Sequence, residues 1–139
     1  MSASDYLQGI SGKAFGNEVS LSEKTLDYLW ERQNITADNI ANVDTPNYKS
    51  EYLTFENTLA DRIAHAKNSA KQKQSIDRAI SSTHAVLHRT EDESSRLDGN
   101  NVDMDQEQVQ LVKTAYTYEM MVDSVNQSLS RLDSAAKSF

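Results

Sequence analysis

Two histidines, His84 and His88, lie four residues apart, a spacing at which side chains share one helix face and can bind zinc together. The intervening Ala85-Val86-Leu87 provides no carboxylate where a metalloprotease helix carries its general base, and no third ligand is evident. His65 adds nothing to the pattern. Two surface or partly packed histidines explain it with fewer assumptions, so the sequence predicts no metal site.

A second candidate for metal binding is an acidic series that consists of Asp98, Asp103, Asp105 and Glu107. Calcium prefers such oxygen ligands, but aligning Gly99 with the invariant glycine of an EF-hand places Ser94 and Arg96 where oxygen ligands belong. An arginine there excludes the EF-hand pattern. The same carboxylates suit the start of a helix, where Asp103 would cap free N–H groups and the next acidic residues would favour the helix dipole.

Other signatures of catalysis are missing from the 139-residue sequence. It has no glycine-rich phosphate loop, no Gly-x-Ser-x-Gly motif and no supported Ser, His and acid set. Because it has no cysteine, disulfides, thiolate catalysis and cysteine-bound metals are all excluded. We therefore expect a protein that is not an enzyme, that needs no cofactor and that takes no small-molecule substrate.

The charge of the chain bears on its partners. A net charge of −7 argues against nucleic acid, although the stretch from Arg62 to Arg89 is rich in basic residues. No aromatic residue occurs between Phe55 and Tyr116, so that stretch offers no platform for base stacking, and a solvated polar helix face is the simpler interpretation. No run of apolar residues is long enough for a membrane span, and the N-terminus lacks the features of a signal peptide.

The last third of the chain carries a regular apolar stripe whose members recur at alternating steps of four and three: Leu111, Ala115, Tyr118, Val122, Val125, Leu129, Leu132, Ala136 and Phe139. This pattern is typical of a coiled-coil seam. A helix from Asp103 to Phe139 would be roughly 55 Å long, which is longer than a domain of this size is wide. We expect the stripe to be buried against another protein chain, and pairing with the N-terminal helix is the alternative.

The N-terminal helix should begin at Ser20, because Ser20 and Glu23 have the spacing of a capping box. It should end near Asn42, since Thr45 precedes Pro46 and is pushed out of the helical region. Its apolar residues have the same four-three spacing, but polar residues interrupt it, so this seam is weaker than the C-terminal one. The apolar members of the N-terminal seam are Leu26, Leu29, Ile40 and Val43.

The middle of the chain gives weaker signals. Pro46-Asn47 suits a tight turn, and an extended or irregular aromatic cluster follows, formed by Tyr48, Tyr52, Leu53 and Phe55. A second helix is predicted from about Thr54 to His65. The stretch from Lys67 to Ser95 is polar, and we expect a partly helical, mobile insert with little core of its own.

The segment Ala37-Asp38-Asn39-Ile40-Ala41-Asn42-Val43-Asp44-Thr45-Pro46-Asn47-Tyr48-Lys49 closely resembles the N-terminal signature of bacterial flagellar rod and hook proteins. The resemblance covers roughly residues 20–60 and 98–139. The shortness of the chain and the segment from Asp98 to Glu107 resemble the proximal rod subgroup. The signature departs from the common form at Asp38, where asparagine is frequent, and at Asn47, where glycine is frequent.

The resemblance implies a structural subunit of the proximal rod at the base of the flagellar drive shaft, located in the basal body within the cell envelope and exported by the flagellar type III apparatus. Its implied partners are other rod proteins, basal-body ring and export-gate proteins, and further copies in a helical assembly. The terminal stripes would form the assembly seam. A signature turn would seat one subunit on the next, through Asn39, Ile40, Ala41, Asn42, Thr45, Pro46 and Tyr48.

The expected fold is mainly α, with long N- and C-terminal helices that form a coiled-coil-like pair and a polar, partly disordered central insert. Its predicted parts are a disordered segment 1–19, a helix with the signature turn at 20–60, a variable insert at 61–97 and a C-terminal coiled-coil helix at 98–139. The alternative function is a soluble coiled-coil adaptor or export-chaperone-like binding module. That alternative explains the stripes and the charge but not the signature.

Overall fold

The computed structural model describes residues 3–67, 71–91 and 96–138, and confirms a mainly α fold. Its elements, in chain order, are α1 (Ala3–Ala41), β1 (Glu51–Thr54), α2 (Glu56–Lys67), α3 (Gln72–Ser82), β2 (Val86–Arg89) and α4 (Met104–Lys137). The chain divides into two compact units. Unit 1 comprises the residues up to Thr25 with Phe55–His84, and unit 2 comprises Leu26–Thr54 with the residues from Ala85 onward.

Helix α1 begins at Ala3 rather than at Ser20. The predicted start at Ser20 and the predicted disorder of residues 1–19 are therefore wrong for the residues that the structure describes. Extending a helix costs far less than nucleating one, so a helix formed downstream can continue through a segment of modest propensity. The hydroxyl of Ser22 donates to the carbonyl of Glu18 at 2.8 Å, as hydroxyls inside helices do.

Unit 1 contains a helical hairpin in which α2 packs against α3. Helix α2 runs two residues later than predicted, and it buries Leu59 and Ala66, while α3 buries Ala79 and Ile80. The guanidinium of Arg62 donates to the carbonyl and hydroxyl oxygens of Ser82 at 3.1 and 3.0 Å. The described part of the insert is thus more regular than predicted, because α3 contributes apolar side chains to a core shared with α2.

Unit 2 contains a two-stranded antiparallel sheet, which was not predicted. In its register Glu51 lies opposite Arg89 and Tyr52 opposite His88. The rings of Tyr52 and His88 stack with centroids 5.1 Å apart. An isolated ribbon of this size is marginal in water, and four-residue strands carry too short a pattern to reveal their period. This sheet depends on α1, whose Tyr28 hydroxyl donates to the carbonyl of Leu53 at 3.2 Å.

Helix α4 begins where the sequence predicts. The carboxylate of Asp103 accepts hydrogen bonds from the backbone N–H groups of Asp105 and Gln106 at 3.1 and 3.2 Å. This arrangement confirms the predicted N-cap. The helix is about 51 Å long at 1.5 Å per residue. Within unit 2, the C-terminal part of α1 packs against α4, so the long helices meet inside one chain.

Candidate functional site

Asn39, in the last turn of α1, is the centre of a buried polar network. Its side chain is only 1% exposed, and its amide oxygen accepts from the N–H of Glu51 at 3.0 Å and from the hydroxyl of Tyr48 at 3.1 Å. Its amide nitrogen donates to the carbonyl of Glu51 at 2.8 Å and also bonds the carboxylate of Glu107. One side chain therefore joins α1, β1 and α4, and only an amide can donate and accept in this way.

The turn that follows α1 contains Asn47, whose backbone is in the left-handed conformation. Thr45 donates two hydrogen bonds to Asn42, each at 3.0 Å. Its backbone N–H donates to the carbonyl of Asn42, and its hydroxyl donates to the side-chain oxygen of Asn42. Asn47 then has a φ of 60°, a conformation that asparagine tolerates better than most residues. Its N–H donates to the carbonyl of Asp98 at 2.8 Å. The signature turn (residues 39–48) is thereby bonded to the segment that precedes α4.

That segment, residues 96–101, forms a capping loop for α1. Asn100 is fully buried, and its amide nitrogen donates to the carbonyls of Asn42 and Thr45 at 2.8 and 2.9 Å. Its amide oxygen accepts from the N–H of Val102 at 2.8 Å. Carbonyls at the end of a helix have no partner within the helix. Asn100 supplies one from 58 residues away in the chain.

Gly99 allows the capping loop to approach the turn. Its φ is +75°, and a Cβ atom added there would lie 2.6 Å from the side-chain oxygen of Asn47. The ammonium of Lys49 donates to the carbonyl of Gly99 at 2.9 Å, and Arg96 donates to the carbonyl of Val43 at 2.8 Å. Asn47 and Gly99, whose backbones are both in the left-handed conformation, thus face each other across this contact, and only Asn47 has room for a side chain.

Asn101 connects the same loop to the sheet. Its side-chain oxygen accepts from the N–H of Ser50 at 2.7 Å, and its amide nitrogen donates to the carbonyl of Thr90 at 3.1 Å. Its own N–H donates to the carbonyl of Tyr48 at 3.3 Å. The Asp-Gly-Asn-Asn segment looks like an ordinary turn in the sequence. Nothing in the sequence shows that its two asparagines bond to the ends of α1, β1 and β2.

The electrostatics of the network centre on Glu107, in the first turn of α4. Burial raises the pKa of its carboxyl group, as does the charge of Asp103, while the hydrogen bond from Asn39 acts in the opposite direction. The pKa of the Tyr48 phenol is raised by burial and by nearby carboxylates, with Glu51 the largest contributor among them. The half-buried carboxylate therefore costs the fold some stability when it is charged.

The predicted C-terminal seam is buried at one end only. Its members from Leu111 to Val125 are half-buried, while the members from Leu129 to Ala136 are exposed, and Phe139 lies outside the described residues. The most buried positions of α4 are instead Thr114 and Ser128, two heptads apart. The hydroxyls of Thr114 and Ser128 accept hydrogen bonds from Gln110 and Arg131. Because both residues are polar, the spacing of apolar residues does not reveal them. The observed line of burial therefore lies one residue from the predicted Ala115 and Leu129.

The predicted seam of α1 is also partly buried. Leu29 is 3% exposed, and Leu26, Ile40 and Val43 are half-buried. Thr36 is one of the polar residues that interrupt the four-three spacing of this helix. It is only 4% exposed, and its hydroxyl donates to the carbonyl of Arg32 at 2.9 Å. A threonine that bonds within its own helix can be buried at little cost. The seam is therefore more continuous than its apolar pattern indicates.

Among the described residues, the hydrogen bonds of this network involve no histidine. His88 lies in β2, where its ring bonds the hydroxyl of Thr54 at 2.8 Å, and His84 is exposed. In the described part of the chain, no three His, Cys, Asp or Glu side chains converge. Nor does any helix there have the length and apolarity that crossing a membrane requires.

Comparisons with known proteins bear directly on this turn. The family model described as flagella basal body rod protein matches residues 29–49, which contain the end of α1 and the signature turn. The flagellar basal body rod protein FlgB of Borreliella burgdorferi is 35% identical over 118 residues, covering 78% of this chain and 87% of the relative.

Two further relatives carry the same name. FlgB of Salmonella typhimurium is 30% identical over 73% of this chain and 80% of the relative, and FlgB of Bacillus subtilis is 27% identical over 85% and 92%. The matches extend far beyond the signature and cover most of this chain and of each relative. The chain belongs to the flagellar basal body rod protein family as a FlgB-like member, a structural component whose place is the flagellar basal body.

Proposed function

We propose that this protein is a subunit of the proximal rod, which assembles helically through its terminal helices and transmits torque as part of the drive shaft. The observation that carries the proposal is the buried contact of Asn100 with Asn42 and Thr45. It bonds the end of one long helix to the loop that begins the other. A shaft subunit needs such a joint, since torque that enters through one helix must leave through the other.

The exposed end of α4 provides the surface for assembly. Leu129 and Leu132 are 47% and 37% exposed, although they continue the stripe that is half-buried nearer the start of the helix. Burying a leucine completely stabilises a structure by about 1.5 to 3 kcal/mol. A neighbouring subunit that covered these residues would gain much of that free energy. A contact between two different surfaces of successive subunits can repeat without closing, and so builds a helical structure.

The partners in this proposal are other rod proteins, further copies of this chain, and the basal-body ring and export-gate proteins nearby. Export through the flagellar type III apparatus is part of it. A subunit whose terminal helix is completed only by neighbours could be exported before that helix is stable. The signature turn would remain the preformed part and would present Thr45 and Pro46, both exposed, to the next subunit.

The test replaces an exposed seam residue by a charge. In the source bacterium, Leu132→Asp should leave the free subunit as stable as the wild type and should abolish both incorporation into basal bodies and swimming. Burying a carboxylate in an apolar contact is costly, whereas the same group in water is not. Ser130→Asp adds the same charge two residues away on an exposed position and is the matched control.

Two results would contradict the proposal. Normal swimming by Leu132→Asp would show that the end of α4 is not an assembly seam. A stable oligomer of the purified wild-type chain at micromolar concentration, without other rod proteins, would favour the adaptor alternative. Thermal unfolding and sedimentation of the purified variants separate these results from a simple loss of folding.

A further inference from the structure

The two outer edges of the sheet differ in how their backbone groups are bonded. In an antiparallel pair, residues whose N–H and C=O groups point to the partner strand alternate with residues whose groups point outward. The N–H of Thr90 donates to the carbonyl of Ser50 at 2.8 Å, which continues the register of the sheet and sets this alternation. The outward-pointing residues are therefore Glu51 and Leu53 in β1 and Leu87 and Arg89 in β2.

The outer edge of β1 is closed by side chains of α1. The N–H of Glu51 donates to the side-chain oxygen of Asn39 at 3.0 Å, and the carbonyl of Glu51 accepts from the amide nitrogen of Asn39 at 2.8 Å. The carbonyl of Leu53 accepts from the hydroxyl of Tyr28 at 3.2 Å. Because α1 already occupies these outward groups, another strand cannot add to β1.

The outer edge of β2 is open. In the part of the chain that the structure describes, no protein group bonds to the outward N–H and C=O groups of Leu87 and Arg89. The side chains of Val86 and Leu87 are 46% and 53% exposed. An open strand edge that carries exposed apolar side chains is a place where another strand can pair.

The side chains of β2 indicate which strand would fit. Leu87 lies opposite Leu53, which is 5% exposed, so an apolar side chain beside Leu87 would extend the buried row to a third strand. On the same face, Arg89 lies opposite Glu51 but forms no ion pair with any described residue. A carboxylate placed beside Arg89 would supply one. The complementary strand therefore carries an acidic and an apolar residue two positions apart.

A second copy of β2 does not have this pattern, because residues 84–90 include no acidic residue. An antiparallel pairing that places Leu87 opposite its own copy sets Arg89 opposite Ala85. A shift of two residues in either direction sets Arg89 opposite Leu87 or Thr83. A parallel pairing in register brings the two arginines together, and like charges select against it. The charge of β2 thus favours a strand from a different protein.

We propose that the outer edge of β2 binds an extended segment of a different protein by strand addition, with an acidic residue facing Arg89 and an apolar residue facing Leu87. In this mode of recognition, main-chain hydrogen bonds give affinity and alternate side chains give specificity. A third strand would also stabilise the sheet, since a two-stranded ribbon is marginal by itself. The proposal does not depend on the assembly role of the terminal helices, because it concerns the edge of the sheet.

The probe is a synthetic peptide with the core Thr-Asp-Thr-Val-Thr, which can pair antiparallel to β2 with its aspartate opposite Arg89 and its valine opposite Leu87. Nuclear magnetic resonance of the full chain is the measurement, because it detects weak binding residue by residue. The peptide should shift the amide signals of Leu87 and Arg89 and slow their exchange with solvent. The N–H groups of Val86 and His88 point to β1 and should change less.

Methylated peptides test whether the backbone makes the contact. N-methylation of the aspartate and the valine removes the two N–H groups that would face β2, and binding should weaken about tenfold or more. N-methylation of two threonines, whose N–H groups would point away from β2, is the matched control and should weaken binding much less. The proposal is overturned if the two methylated peptides bind equally well, or if the signals of Leu87 and Arg89 do not respond to the unmodified peptide.

Exchanging charges tests the pairing of side chains. Arg89→Glu should weaken binding of the aspartate peptide and should favour a peptide with lysine in place of aspartate. Arg78→Glu, on an exposed position of α3, is the matched control and should bind like the wild type. The amide signals of Val86 and His88 report whether the sheet is intact in each variant.

Two further results would overturn the proposal. One is normal binding of the aspartate peptide by Arg89→Glu. The other is protection of the Leu87 and Arg89 amides that increases with the concentration of the chain in the absence of peptide, which would make a second copy the occupant.

Discussion

The signature turn and the distal end of α4 differ in how each is stabilised. At the turn, Asn39 and Asn100 are 1% and 0% exposed and form hydrogen bonds with backbone groups from several elements. At the distal end, every described residue from Leu129 onward is exposed. The buried amides of the turn are thus hydrogen-bonded within one chain, whereas the fold leaves the described end of α4 exposed. In the assembly proposed above, neighbouring subunits cover that end.

Among changes to the buried polar network, the largest effect is expected from Asn39→Asp. The new carboxylate cannot donate to the carbonyl of Glu51, and it lies beside the carboxylate of Glu107 in a buried position. We expect a loss of about 4 kcal/mol of unfolding free energy at neutral pH, measured by urea denaturation. Asn34→Asp, an exposed asparagine of α1, is the matched control and should lose less than about 0.5 kcal/mol. Similar losses in both would show that the network does not stabilise the turn.

Asn100→Ala tests the other half of the network. The carbonyls of Asn42 and Thr45 would lose a shared donor while remaining partly buried. The expected loss is about 3 kcal/mol of unfolding free energy. Asn126→Ala, on an exposed position of α4, controls for the loss of an asparagine side chain. A loss below about 1 kcal/mol would mean that water replaces Asn100 as the cap, and the comparison with the distal end would weaken.

Gly99→Ala should cost about 1 to 2 kcal/mol, because alanine is strained at positive φ and its Cβ would meet the side-chain oxygen of Asn47. The cost should be smaller in an Asn47→Gly background, where that oxygen is removed. The double-mutant cycle isolates the contact from the backbone strain, which both backgrounds share. An equal cost in both would show that strain alone accounts for the effect.

Glu107 gives a smaller, pH-dependent effect. Its pKa is raised in the folded state, so its charge disfavours folding above the folded pKa, and that cost is relieved as the pH falls through the folded pKa. Glu107→Gln should therefore be slightly more stable than the wild type at neutral pH. The difference should shrink towards acid pH, where both side chains are neutral. Glu119→Gln, on an exposed position of the same helix, is the matched control for the loss of a carboxylate.

The smallest effect is expected at the distal end. Leu129→Ala should change the unfolding free energy of the free subunit by less than about 0.5 kcal/mol, since Leu129 is 47% exposed. Leu29→Ala, at a 3% exposed seam position of α1, should lose about 2 to 5 kcal/mol. Comparable losses at the two leucines would show that the end of α4 is stabilised within the chain.

Several elements could be predicted because their causes are local. Asp103 caps α4, and Thr45-Pro46 prevents α1 from continuing; both effects act within a few residues. The predicted start of α1 at Ser20 failed for a related reason. A capping box describes how a helix can begin, but it does not stop a helix that already runs through it.

The residues around the signature turn separate local causes from tertiary ones. The helical stripes, the tolerance of Asn47 for positive φ and the resemblance to rod proteins follow from residue type and short spacing. The capping of α1 by Asn100, the bonds from Asn39 to β1 and the burial of Thr114 rather than Ala115 follow from the fold. Those outcomes depend on which distant backbone groups lack partners, and a buried hydroxyl or amide is stable only where such a partner is within reach.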